Sequence, residues 1–346
     1  MSNINLNNKN VNFSFEEIDK NKIPKKLEFI KYISEDSFNF YEVDNSFVIF
    51  KSIDNRNYIA FSTKNSIIVY NLNNQQIENE IKYPHEYFIT SLRHCIYNKK
   101  NIIMTVSPSE ENIKLWDLSN CENITNINNI YSNPYLFSAC FLNNNNQNYI
   151  LSSSCSNGNP EPIIVFDFNG NKIKEINNSK DITYSMDIYY DNYSSKCYII
   201  TGNLDNLKAY DYGKNEVYHK YISDGEHYKV IIYQEDTIIK MLESSNKNNF
   251  IKIWDFHKGL LLNKIKINNA KGNLRISLFN EKCLFVGDFD GKIKIFDLKK
   301  GDIINDKLYH QSRICSIKKL MHPLYGECII SQGWLSEPIK LWAIKY

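Results

Sequence analysis

No apolar run in this sequence approaches the roughly 18 residues of a membrane span, and the amino terminus, MSNINLNNKN, lacks the basic and apolar regions of a secretory signal. Both absences predict a soluble, intracellular protein, placed in the cytoplasm. An excess of one charge is missing as well: 41 Lys and Arg stand against 39 Asp and Glu, for a net charge of +2. The long-range field on which general nucleic-acid or anionic-membrane binders rely is therefore absent, and neither class of partner is expected. Paired cysteines are lacking too. The eight Cys form no CxxC and mostly sit in apolar runs such as ACFL, KCLFV and ECII, which reads as buried, reduced thiols and gives no tetrahedral zinc set, so no metal is predicted.

Catalytic signatures are equally scarce. There is no GxSxG elbow, HExxH helix, P-loop or GxGxxG turn. The seven histidines are scattered. The acidic pairs Glu16-Glu17, Glu110-Glu111 and Glu235-Asp236 read as solvated turn residues rather than a converging acid–base couple. No catalytic residue and no cofactor is assigned, and the chain is not expected to be an enzyme.

What the 346 residues do contain is a repeat. Seven segments, SIIVYNL, NIKLWDL, PIIVFDF, NLKAYDY, FIKIWDF, KIKIFDL and PIKLWAI, align on Tyr70, Trp116, Phe166, Tyr210, Trp254, Phe296 and Trp342. The spacing between successive aromatics runs from 42 to 50 residues. Two β-rich runs precede each aromatic segment and a further one follows it in six repeats, whereas helical periodicity is not sustained anywhere. Four strands in about 45 residues make one propeller blade. The predicted fold is all-β, a seven-bladed β-propeller of four-stranded antiparallel blades over residues 37–346, with 1–36 as an amino-terminal extension.

The aromatic-Asp pairs Trp116-Asp117, Phe166-Asp167, Tyr210-Asp211, Trp254-Asp255 and Phe296-Asp297 resemble the WD dipeptide of WD40 repeats; Asn71 and Ala343 depart from it. The resemblance implies a buried network that joins a His, a Ser or Thr, a turn Asp and the Trp. His85 with Trp116, His227 with Trp254, and His310 with Trp342 match its ends, with Thr105, Ser244 and Ser331 as the hydroxyls. No Asp occupies the turn in these three repeats, while Asp205 and Asp290 stand in the turn of repeats without Trp, so the network is expected to be incomplete in every blade. Lys recurs at one place in five segments, at Lys114, Lys208, Lys252, Lys294 and Lys340, where a stem lying on apolar surface and an ammonium reaching outward to water is expected.

The sequence runs only a few residues past its seventh aromatic, so an outer strand for the last blade is expected from the amino-terminal side, closing the ring and covering its edge. LEFIKYI at 27–33 and FNFYEV at 38–43 are the candidates, and spacing favours 38–43.

For function, the resemblance implies a non-catalytic scaffold, an adaptor or structural subunit whose partners are other proteins. The loops between blades predict a binding face bearing Tyr83, Tyr135, Tyr228, Tyr309, Arg313 and Trp334, because rigid aromatics supply contact area at low entropic cost. An Arg-Arg pair, expected of phosphoinositide-binding propellers, is absent. So is Arg two places after the WD pair, as cullin adaptors carry it; Ser119 and His257 stand there. The alternative is an enzyme or small-ligand binder using the central channel, for which Asp187 and Arg275 are the obvious polar groups.

Overall fold

Alternation along each strand decides how the repeats assemble, since successive side chains point to opposite faces of a sheet. In Asn112–Asp117 the residues Ile113 and Leu115 face one neighbouring sheet while Trp116 faces the other, so both faces are apolar and both must be covered. A ring of sheets satisfies every face at once. The computed structural model shows such a ring and describes residues 22–34, 47–86, 89–107, 110, 112–128, 134–144, 147–156, 158–176, 181–204, 206–223, 227–245, 249–268, 274–334 and 337–346.

Seven antiparallel sheets follow one another in chain order. Blade 1 comprises Phe47–Lys51, Asn57–Ser62, Ser66–Asn71 and Gln76–Lys82, and blade 2 comprises Ser91–Tyr97, Lys100–Ser107, Asn112–Asp117 and Glu122–Asn128. Blade 3 runs through Pro134–Asn144, Gln147–Ser156, Ile163–Phe166 and Lys172–Ile176, with the short Asn159–Pro160 paired at its side. Blade 4 is Ser185–Asp191, Lys196–Gly202, Asn206–Asp211 and Glu216–Ile222; blade 5 is His227–Glu235, Ile238–Ser245, Phe250–Asp255 and Leu260–Lys266. Blade 6 is Arg275–Leu278, Cys283–Gly287, Lys292–Asp297 and Asp302–Leu308. Blade 7 takes Ile314–His322, Gly326–Gly333 and Ile339–Lys345, and its fourth strand is Lys26–Ser34. The first strands of neighbouring blades approach each other and form the inner wall. Among the described residues there is no α-helix.

Seven apolar clusters hold the ring, one at each boundary between adjacent blades. Each repeat aromatic packs toward the blade before it, as Trp254 does with Tyr198, Ile200 and Leu207 of blade 4. The seventh cluster joins Leu320, Ile330 and Leu341 of blade 7 to Phe47, Ile59 and Tyr70 of blade 1, so the last blade packs on the first. All eight cysteines are free, seven of them buried and Cys121 half-buried. Burial pushes the Cys283 thiol up to about 11 and Cys197 and Cys328 up to about 12, which suits packing and not reactivity.

The strand paired with Ile339–Lys345 corrects the expectation from spacing: it is Lys26–Ser34, while 38–43 lies outside the described residues. The propeller thus draws on residues before position 37, inside the stretch read as an extension. Spacing misled because the connection to the next inner strand, 35–46, is longer than those between other blades. The register itself is regular. In six blades a bulge in the outer strand falls just before the repeat aromatic of the third strand, for example between Leu115 and Trp116 and between Ile295 and Phe296. Lys26–Ser34 has the same bulge, with Phe29 opposite Trp342 and Lys31 opposite Leu341. A bulge in an edge strand twists it and discourages pairing with another chain.

Candidate functional site

Loops from outer to next inner strands, and turns between second and third strands, share one face of the ring. Beneath this face, among the described residues, two blades hold a complete hydrogen-bonded network, which corrects the expectation of incomplete ones. In blade 2 the Trp116 indole N–H donates to Thr105 Oγ1 at 3.0 Å, and Thr105 Oγ1 lies 2.7 Å from His85 Nε2. His85 Nδ1 is 2.8 Å from Glu110 Oε2. In blade 7 Trp342 donates to Ser331 Oγ at 2.8 Å, Ser331 Oγ lies 2.7 Å from His310 Nε2, and His310 Nδ1 is 2.8 Å from Glu337 Oε1. One proton arrangement satisfies both chains: indole to hydroxyl, hydroxyl to Nε2, Nδ1–H to carboxylate. Glutamate replaces the expected aspartate, so Glu110 is a buried network member and not a solvated turn residue.

The other blades rebuild the same place. In blade 5 the register puts Glu243, not Ser244, opposite Lys252, as Thr105 stands opposite Lys114 and Ser331 opposite Lys340. The Trp254 indole donates to Glu243 Oε2 at 2.7 Å, while Ser244 Oγ donates to the Leu274 carbonyl. The His227 side chain lies outside the described residues. In blade 6 Asp288, two residues before Asp290, accepts from the backbone of Asp290 and Lys292 and pairs with Lys294; Asp205 of blade 4 is not among the described residues. Each of the five repeat lysines meets a carboxylate: Lys114 with Glu110, Lys208 with Asp181, Lys252 with Glu243, Lys294 with Asp288 and Lys340 with Glu337. The ammoniums therefore turn into the protein, against the expectation that they reach into water.

Burial sets the charge of these histidines. It holds the imidazoles of His85, His94 and His322 down at about 4 and lowers that of His310. Burial pushes the Glu337 carboxyl up, but hydrogen bonds from His310, Ser312 and Lys340 outweigh this and keep it well below the usual carboxylate range. An unfolded histidine binds its proton below about 6.5, whereas His85, His94 and His322 bind theirs only near 4, so between those values the unfolded state holds more protons and stability falls as pH falls. The unfolding free energy from urea titrations should be level above pH 7 and decline from pH 6.5 to 4 by up to about 1.4 kcal/mol per pH unit for each fully shielded histidine. A flat profile over that window would show these imidazoles to be solvated.

Above the blade 7 network sits a built platform. Glu337 accepts from the backbone N–H of Gln311 and Ser312 and from Ser312 Oγ, and Ser312 Oγ accepts the Trp334 backbone N–H at 2.9 Å. The turn of blade 6 is tied to the same loop: Tyr309 and His310 donate to the Gly291 carbonyl, and Ile314 donates to Asp288. Gly291 has φ 79° and a Cβ there would stand 2.3 Å from the His310 carbonyl oxygen, so only glycine permits this approach. On this frame the Arg313 guanidinium lies 4.2 Å from the Trp334 ring centroid and 5.7 Å from that of Phe289, which is 45% exposed. Stacking on rings orients the guanidinium plane.

Of the residues expected on this face, Arg313 and Trp334 come together. Tyr309 is half-buried, edge-on to Trp342 at 4.8 Å. Tyr83, 73% exposed, belongs to the separate loop between blades 1 and 2. The side chains of Tyr135 and Tyr228 lie outside the described residues. Phe289 was not anticipated, although it occupies the same turn as Trp334 about one repeat earlier, a signal available in the alignment. Of the channel candidates, Arg275 is buried and donates to the Cys315 carbonyl at 3.0 Å, bracing blade 6 to blade 7. Asp187 Oδ1 accepts from the Ile188 N–H beside it.

No protein-family profile matches the chain. A curated protein, autophagy-related protein 16 of Arabidopsis thaliana, is 22% identical over 161 residues, a match spanning 46% of this chain and 31% of that protein.

Proposed function

We propose that the chain is a WD40-like, non-catalytic scaffold, an adaptor or structural subunit in the cytoplasm, which holds a protein partner on the loop face of blades 6 and 7. The observation that carries this reading is the Arg313 guanidinium stacked on Trp334 beside an exposed Phe289, on loops fastened to a buried network. Such a surface offers large rigid area and a planar donor for a partner carboxylate without first ordering a loop. The propeller architecture and the partial likeness to autophagy-related protein 16 support an interaction module in general.

The test uses partners recovered by affinity purification. Changing Arg313 and Trp334 together to Ala should weaken association by about 2 kcal/mol or more, with melting held within a few degrees. Tyr309→Ala, whose ring packs on Trp342, should lower the melting temperature instead. Unchanged affinity in the folded double variant would remove the loop face from the reading.

A further inference from the structure

The opposite face of the ring carries the turns that join first to second and third to outer strands. There, at the boundary of blades 1 and 2, a cleft of about 380 Å³ opens. Its floor is Phe50, Tyr58, Val69 and Leu118, all buried, with Ile53 at the lip. Phe50 is stacked between Tyr58 at 5.4 Å and His94 at 4.0 Å, and the Asn79 amide donates to the Leu118 carbonyl across the blade boundary, so the floor is fixed.

The rim charges differ in what they have left to offer. Arg56 is bound to Asp54 and, at 3.1 Å, to Glu78; Glu78 also accepts from Tyr58 and Asn71; Lys100 pairs with Asp117 at 2.6 Å. Both carboxylates of the rim are engaged by donors of this chain, which disfavours a cationic ligand. Lys99, by contrast, is exposed and makes no ion pair among the described residues. It sits with Asn98 in a two-residue turn, both at positive φ, 48° and 57°, which fixes where its side chain starts. A single available ammonium beside a fixed apolar floor suits a ligand with a carboxylate next to an apolar group. A phosphate or nucleic-acid backbone would leave the floor uncovered and find one cation where several are needed.

The geometry points to a second docking site: the cleft between blades 1 and 2 takes an extended segment of a partner protein in which an aliphatic or aromatic side chain fills the floor and an adjacent Asp or Glu meets Lys99. This site is independent of the loop platform. It is tested on the full chain with labelled Ile, Leu and Val methyls, titrated with acetyl-Gly-Leu-Glu-Gly-amide and with the same peptide carrying Gln in place of Glu. The Glu peptide should shift the methyls of Ile53, Val69 and Leu118 saturably, and the Gln peptide at least fivefold more weakly. Lys99→Asn, a residue that tolerates the left-handed backbone, should reduce the Glu peptide to the Gln level without changing the melting temperature, and Arg313→Ala should leave these shifts intact. No shift up to 20 mM, equal affinity of the two peptides, or indifference to Lys99→Asn would overturn the assignment.

Discussion

Deleting residues 1–34 should leave a protein that aggregates or melts at least 10 °C lower, whereas deleting 1–21 should move melting by only about 2 °C. The longer deletion removes the strand paired along Ile339–Lys345 and strips Leu27 from the cluster between blades 6 and 7 and Ile33 from the cluster between blades 7 and 1. Each of those side chains is worth roughly 2 kcal/mol of burial. The edge left behind would present unpaired donors and acceptors next to exposed Trp342, a template for pairing with another chain. The shorter deletion keeps Lys22 with its contacts to Tyr346 and Glu327 and keeps the Lys25 N–H on the Lys345 carbonyl. Circular dichroism melts and light scattering of the two truncations decide it, and equal stability would show that blade 7 holds without the strand.

The next largest effect is expected at Asp288. Lys294 and Asp288 are both fully buried, with Asp306 at 3.7 Å as a second carboxylate near the ammonium. Removing Asp288 leaves a buried cation and two orphaned turn N–H groups, so Asp288→Ala should cost about 3–5 kcal/mol. Replacing both partners, Asp288→Leu with Lys294→Met, should cost less than Asp288→Ala alone, because no charge is left inside. Urea unfolding of the single and double variants measures this. A double variant worse than the single would mean that the pair is held by more than mutual neutralisation.

Much of the fold was legible because it rests on residue type at fixed intervals. The seven aromatics and the β-rich runs around them follow from period and β-pattern alone, while the His and Trp ends of the networks came from the resemblance to WD40 repeats. What escaped depends on reach and register. Glu110 and Glu337 close the networks from turns where an Asp was sought; one more methylene lets the carboxylate arrive from a different place, and spacing does not record side-chain length. Glu243 was missed by one position, since strand register fixes which residue faces the Trp and composition offered Ser244 beside it. The amino-terminal strand was misplaced because a connection can lengthen freely while the pairing partner stays the same. Arg313 and Trp334 were recognisable as a large ring and a scarce cation in polar loops. Their union with Phe289 was not, because it spans two blades and exists only once the ring has formed.

The loop platform is the centre of the functional account, and hydrogen–deuterium exchange of the full chain with and without its partner tests it most directly. Protection on binding should concentrate in peptides covering 288–291, 309–313 and 333–337, with the outer strands of blades 2 to 4 unchanged. Protection confined to those outer strands or to the inner wall, with the three loop segments exchanging as in the free protein, would contradict the account.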